Sequence, residues 1–298
     1  MASSEAPIPI PSRPGEHRAP CPYCAKRKRD DALAIRVEPD GSAVWYCHRC
    51  GERGGTRGNA TDKRPPDIAA RRAQAEAVRQ ADEKRKIAAA LRIWHASGPI
   101  GFSPAQAYLL ARGIDPDAIP TQSGMRWPET LRWCADADGY GNGALVVAVN
   151  DGHSGLVRAV QRIFVNADGT AQRDDKGKRK RARGPLKGNA ARLSCPIHSE
   201  GWWAIAEGVE TALAARQITG VPTWAAISAG NMAAVKPPHW ARHAVIFADN
   251  DANGVGLTEA AKALHGLRQM PEIETARVLS TDALNTDVAD LIKETANG

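Results

Sequence analysis

The chain has no long hydrophobic run. No apolar segment approaches the ~20 residues that a membrane-spanning helix needs. The opening residues, MASSEAPIPIPSRPGEHRAP, hold no apolar stretch of the kind a secretory signal requires. Together these absences predict a soluble, cytoplasmic chain with no membrane partner. The pattern G-x-x-x-x-G-K-[ST] is also missing, so no P-loop motor is written into the sequence. Cysteine is sparse, with six in 298 residues. Two of these, Cys134 and Cys195, stand alone and read as small buried hydrophobes.

The other four fall into two pairs. Cys21-Pro-Tyr-Cys24 and Cys47-His-Arg-Cys50 are C-x2-C knuckles separated by 22 residues. That separation is near the spacing of four-cysteine zinc sites and leaves room for a short hairpin. Thiolates at i and i+3 of a tight knuckle reach one tetrahedral ion, which makes one structural Zn²⁺ the expectation; a pair of disulfides or free thiols is the alternative. His48 reads as a surface residue rather than a fifth ligand. Around the knuckles lie Lys26, Arg27, Lys28 and Arg29, with Trp45 and Tyr46 ahead of the second. Basic residues beside aromatics suit single-stranded nucleic acid; packing a tiny core is the equal alternative for Trp45.

At 43% hydrophobic, with a net charge of +7 and a pI near 9.2, the chain has room for one large or two small domains and a balance compatible with an anionic polymer. Residues 1–18 read as a flexible leader and 19–56 as the zinc ribbon. Residues 57–95 read as a linker followed by a polar, solvated connector helix with a thin apolar stripe. Residues 103–113 form a short helix with a serine cap and a glycine stop. Residues 144–149 and 156–165 read as strands, and 166–169 as a turn. Alternation in the second strand puts Arg158, Val160 and Arg162 on one face, which suggests a polyanion surface. Residues 176–187, KGKRKRARGPLK, are the densest basic run. Lys178, Arg179, Lys180, Arg181 and Lys187 are its candidate phosphate contacts, with a solvated loop as the plainer reading.

Residues 203–254 carry the chemistry. WAIA ends on Glu207-Gly208 and AVIFA ends on Asp249-Asn-Asp251, and a helical pattern follows each run. Apolar runs bounded by turn residues and followed by helices predict buried parallel strands of an α/β unit, with acids at the edge where ligands bind. Asp249 and Asp251 are two apart, so a divalent ion between them relieves their repulsion, and oxygen-only donors suit Mg²⁺ or Mn²⁺.

EGVETALAA, ADNDANGVG and DVADLI in that order resemble the Toprim domain of primases, topoisomerases and related nucleases. CHRCGERGG resembles the end of the zinc-binding domain of bacterial and phage primases, with four cysteines where many cellular primases use a histidine. YLLARGI resembles a helix of phage and plasmid primase-like proteins. The resemblance implies a mixed α/β fold: the zinc ribbon, then a primase-type core. In that core a basic N-terminal subdomain (96–198) precedes a Toprim α/β domain (199–298) with a mainly parallel sheet.

It also implies a DNA primase that makes short RNA primers on a single-stranded DNA template from NTPs, with a separate replicative helicase as partner and a phage or plasmid setting. By resemblance, Asp249 and Asp251 hold catalytic metal, Glu207 is a ligand or general acid/base, and Asp287 or Asp290 completes the acidic cluster. Glu210, a turn beyond Glu207, is either a supporting metal residue or an exposed helix acid. A Toprim nuclease and a non-catalytic nucleic-acid-binding protein are the rival readings. A topoisomerase is disfavoured because Tyr23, Tyr46, Tyr108 and Tyr140 lack the setting of its nucleophile.

Overall fold

The computed structural model describes residues 8–26, 30–58, 68–119, 126–193, 199–281, 286, 288 and 290. Arg27, Lys28, Arg29, Cys195 and Asp287 lie outside the described residues. The chain divides into two compact units, 1–76 and 77–298. Among the described residues no helix is long and apolar enough to cross a membrane.

The first unit is one antiparallel sheet in the order β1 (Gly15–Ala19), β2 (Leu33–Val37), β3 (Ala43–Cys47), β4 (Arg53–Thr56). Alternation along β2 and β3 buries Leu33, Ile35, Val37, Ala43 and Cys47 with Cys21, and that is nearly all of its core. So small a cluster does not hold a fold unaided, which is why polar and metal ties matter here. Asp30 supplies a polar one. Its side chain is 4% exposed, pairs with Arg49 and accepts the backbone N–H groups of Lys26 and Ala32 at 3.2 and 3.0 Å. Arg49 also donates to the Cys24 carbonyl at 3.1 Å, so one ion pair fastens the two knuckles together. The Arg49 hydrogen bonds hold the Asp30 pKa down at about 2.

In the second unit, α1 (Ile68–His95), within which the division falls, runs into the pair β5 (Gly98–Pro99) and β6 (Leu131–Cys134). Between those two strands lies α2 (Pro104–Ala111), capped by the Ser103 hydroxyl and followed by Gly113 at φ 80°, as its sequence requires. Next come β7 (Ala144–Asn150), β8 (Val157–Phe164) and β9 (Lys180–Arg183), completing an antiparallel sheet β5-β6-β7-β8-β9. A second sheet follows, built from β10 (Ala191–Arg192), β11 (Trp202–Ala206), β12 (Thr223–Ala225), β13 (His243–Ala248) and β14 (Thr275–Ser280). Its order is β10-β12-β11-β13-β14, parallel except for β10. The connecting helices are α3 (Val209–Thr219) and α4 (Val255–Arg268).

The connector reading of residues 57–95 needs correcting. The early turns of α1 are exposed, but Ala89, Ala90 and Trp94 are buried, and Ala90 and Trp94 pack with Val146, Val160 and Phe164 of the antiparallel sheet. A helix with a thin stripe still buries its last turns when small residues let it approach the sheet. This covers the β8 face that carries the two arginines. Arg158 pairs with Glu83 of α1, and Arg162 donates to the Ala137 carbonyl at 2.9 Å.

The two sheets share one core. Leu131, Leu145, Val147 and Ile163 from the first cluster with Ala204, Ala206, Leu213 and Phe247 from the second, and α2 and α3 belong to the same cluster. Leu213 has no exposed surface. Leu213→Ala is expected to cost about 2–5 kcal/mol and to lower the melting of residues 77–298 as one transition. Calorimetry in which residues 77–298 themselves melt in two transitions, only one of them shifted, would contradict a shared core.

Candidate active site

The acids come from strand ends. β11 and β13 are adjacent and parallel, with Ala206 opposite Phe247, so Glu207 and Asp249 leave the sheet at the same edge. α3 and α4 both begin there, capped by Gly208 and Gly254. The approach of α4 is close. A Cβ on Gly256 would sit 2.3 Å from the Asp249 carbonyl oxygen, so only glycine lets the helix start against the Asp249 backbone.

Glu207 is partly buried. Burial pushes its carboxyl pKa up, and repulsion from Asp251 adds to this. A hydrogen bond from the Ala229 N–H and the charge of Lys180 act the other way. Glu207 therefore sits within electrostatic reach of both an acid and a lysine. The turn that supplies the Ala229 N–H is strained. Ile227 has φ 75°, a left-handed backbone that a β-branched residue rarely adopts, and its N–H donates to the Glu207 carbonyl at 2.9 Å. Asn231 stiffens the same turn, donating to the Asn189 and Ala226 carbonyls at 2.9 and 2.8 Å and accepting from the Gly188 N–H at 2.9 Å.

Glu210 does not face solvent. Its side chain is 3% exposed, accepts the Tyr108 hydroxyl at 2.8 Å and pairs with Lys180 at 2.8 Å. Burial alone would raise its pKa, but the Lys180 charge and these bonds hold it below the usual carboxylate value. Neither sequence reading of Glu210, supporting metal residue or exposed helix acid, describes this buried ion pair.

The basic run is divided by the fold. Lys178, Arg179, Lys180 and Lys187 are exposed, and Lys180 is tied to Glu210. Arg181 pairs with Asp174, whose buried carboxylate also accepts the Lys176 and Lys178 N–H groups at 3.0 and 2.7 Å and shapes the turn. Asp174 and Asn231 carry no motif that singles them out in the sequence, and Tyr108, although it opens the YLLARGI stretch, carries no sign there of its contact with Glu210. A cavity of about 840 Å³ lies elsewhere, along β10 and β12, lined by Lys187, Arg192, Trp224, Lys236 and Trp240 among others.

In the ribbon, the Sγ atoms of Cys21, Cys24, Cys47 and Cys50 all lie within 4.8 Å of one another. Two of the separations are 3.8 Å (Cys21–Cys50) and 3.5 Å (Cys24–Cys47). A tetrahedral ion with bonds of about 2.3 Å demands sulfurs about 3.8 Å apart. The N–H groups of Cys50 and Arg49 reach Cys47 and draw its pKa down to about 6 despite burial. Among the described residues this is the one tight group of three or more metal-ligating side chains; Glu207, Asp249, Asp251 and Asp290 do not close into another.

The opposite face of that sheet is open. Val44 and Tyr46 are exposed, with Ala34 and Arg53 paired beside Tyr46, Arg18 one strand further, and Arg36 opposite Val44. A groove of about 470 Å³ lies over it. Trp45 is partly buried, and its ring packs on Gly54, where a Cβ would come within 2.4 Å of it. Of the two aromatics, Tyr46 is the one presented to solvent.

Residues 203–298 match the Toprim domain model, and residues 84–193 match a domain of unknown function, DUF7146. The C-terminal part of the chain is thus a Toprim domain with a mainly parallel sheet, preceded by a mixed α/β segment and an N-terminal four-cysteine cluster. Among solved structures, the chain is similar to the zinc-binding and RNA polymerase domains of the Aquifex aeolicus primase. That alignment has 15% identity and a TM-score of 0.44, and covers 96% of this chain and 77% of that one. It is similar also to a DNA primase domain from Pseudomonas aeruginosa (14% identity, TM-score 0.38, 54% of this chain), of whose length the chain spans about half, 52%. A third is the RNA polymerase domain of the Mycobacterium tuberculosis primase DnaG, at 15% identity, TM-score 0.39, and coverage of 70% and 78%.

Gly256→Ala tests the contact that places Asp249. Alanine gains up to about 1 kcal/mol of helix propensity, but overpacking costs about 1–3 kcal/mol, so the clash decides. A lowered melting temperature is the expected result, and a raised one would show that α4 does not rest on the Asp249 backbone.

Proposed function

We propose that the chain is a DNA primase that joins ribonucleotides on a single-stranded DNA template by metal-assisted nucleotidyl transfer. The observation that carries this reading is the edge of the Toprim sheet. There Glu207, Asp249 and Asp251 follow the ends of two adjacent parallel strands, with a lysine of the preceding segment beside them. Hard carboxylate oxygens and the repulsion felt between Glu207 and Asp251 fit a divalent cation such as Mg²⁺ or Mn²⁺. Asp249 and Asp251 would hold it, with Asp287 and Asp290 as further acids; bound there, it would acidify the attacking hydroxyl and neutralise charge on the α-phosphate.

The side chains supply the rest. Glu207, its pKa raised by burial, would take the proton of the attacking 3′-hydroxyl as pyrophosphate leaves. Lys178, Arg179 and Lys187 are exposed and, among the described residues, make no ion pair like those of Arg158 and Arg181; they would meet template phosphates. Tyr46, with Arg18, Arg36 and Arg53 around it, offers a stacking surface for an unpaired base. The four thiolates would hold one structural Zn²⁺. A separate helicase would open the duplex.

Incubating the chain with single-stranded DNA, NTPs and Mg²⁺ tests the reading. New oligoribonucleotides support it; shortened DNA would indicate a nuclease, and a mobility shift without product a binding protein. Asp249→Asn and Asp251→Asn are each expected to cut synthesis by orders of magnitude, since metal-assisted stabilisation contributes several kcal/mol. Their melting temperature should hold or rise as a repelling charge is removed. Near-normal synthesis by both variants refutes the site.

Metal analysis tests the ribbon separately. One zinc per chain is expected, and Cys21→Ser or Cys47→Ser should lose it and unfold the sheet of residues 15–56 while residues 77–298 melt as before. Protein purified without chelator and free of zinc would contradict this.

A further inference from the structure

The buried trio Tyr108, Glu210 and Lys180 draws on three parts of the chain. Tyr108 lies on α2 and Lys180 on β9, both within the segment of unknown function, whereas Glu210 lies in the first turn of α3 of the Toprim domain. Tyr108 is 8% exposed, and burial followed by the Glu210 charge drives its phenol pKa well up, so the hydroxyl remains a donor. Glu210 therefore has both oxygens engaged, Oε1 by the Tyr108 hydroxyl and Oε2 by the Lys180 ammonium.

Lys180 differs from its two partners. Its side chain is 43% exposed. An ammonium has three N–H donors, and Glu210 accepts from one, so donors remain for an anion arriving from solvent. Glu210 stands in the first turn of α3, three residues after Glu207 at the strand end, and the 2.8 Å ion pair therefore holds Lys180 near the acidic edge. A buried carboxylate whose only task is to join two elements can be replaced by apolar packing without loss. One that anchors a half-exposed cation beside an acidic site fixes where that cation stands. A flexible four-carbon stem otherwise spreads the charge over many positions.

We infer that Tyr108 and Glu210 form a buried clamp that fixes the Lys180 ammonium at the acidic edge, so that the segment of unknown function supplies the Toprim domain with a cation for the phosphates of a nucleoside triphosphate. Tyr108 and Glu210 are then positioning residues and Lys180 the contact. This rests on the primase reading for the identity of the ligand, although the clamp is tested by binding alone.

The experiment uses the full-length chain and equilibrium binding of Mg²⁺–GTP, with GMP as a control that lacks the outer phosphates. Lys180→Met should weaken GTP binding about 10- to 100-fold, the equivalent of one hydrogen bond to a charged group, and leave GMP binding within a few-fold. Lys180→Arg should restore most of it. Tyr108→Phe and Glu210→Gln should fall between, raising KM for NTP more than they change kcat, and Tyr108→Phe carries the test should Glu210→Gln not fold. A merely structural trio would lower the melting temperature in these variants and leave GTP affinity per folded molecule unchanged, which overturns the clamp. So would a wild-type chain that does not bind Mg²⁺–GTP. Weakened GTP binding in Lys180→Met, with no oligoribonucleotide made by wild type, retains the clamp and removes the polymerase reading. Wild-type synthesis matched by Lys180→Met does the opposite.

Discussion

The parallel pairing of β11 with β13 is the constraint on which the rest depends. Both strands are buried almost throughout, so their register is set by the core on either side rather than by anything at the acidic edge. With Ala206 opposite Phe247, the chain leaves the sheet twice at neighbouring points, each time on an acid and each time into a helix. Strands that end together, with helices starting beyond them, form a crevice whatever the side chains are. Acids were placed at that crevice, and α3, α4 and the 229–234 turn close around it.

Much of this was legible because buried strands and thiolate knuckles have strong local signatures. WAIA and AVIFA are short apolar runs that stop abruptly, and they became β11 and β13. Ser103 and Gly113 marked the ends of a helix by their own backbone chemistry. What periodicity conveys is the face on which a residue lies, not its neighbour. Alternation correctly put Arg158 and Arg162 together, but nothing local says that α1 would cover that face. Likewise the charge density of residues 176–187 was plain, yet Arg181 and Lys180 find acids at positions 174 and 210. Tyr108 was the least visible, because its partner is 102 residues away.

The boundary between the two matched segments, 84–193 and 203–298, is one of sequence and not of packing. Leu145 and Ile163 lie in the same apolar cluster as Leu213 and Phe247. Asn150 and Ala190 bridge the antiparallel sheet to the start of β10, which pairs with β12 of the Toprim sheet. A segment that contributes half of a core cannot be treated as an appendage to the Toprim domain. Its function is to be sought where its side chains meet the acids.

The left-handed backbone at Ile227 bears on how the edge behaves before any substrate arrives. Glycine would adopt φ 75° freely, whereas for other residues left-handed backbone costs about 1–2 kcal/mol. Isoleucine stands there, packed against the large apolar cluster, so burial offsets the strain and leaves the turn little freedom to rearrange. That turn grips Glu207 twice, through the Ile227 N–H on its carbonyl and the Ala229 N–H on its carboxylate. An acid held by main chain at both ends does not need to be recruited by its ligand. The Glu207 side of the edge is held in place in advance, and rearrangement on binding a ligand falls to the groups across from it.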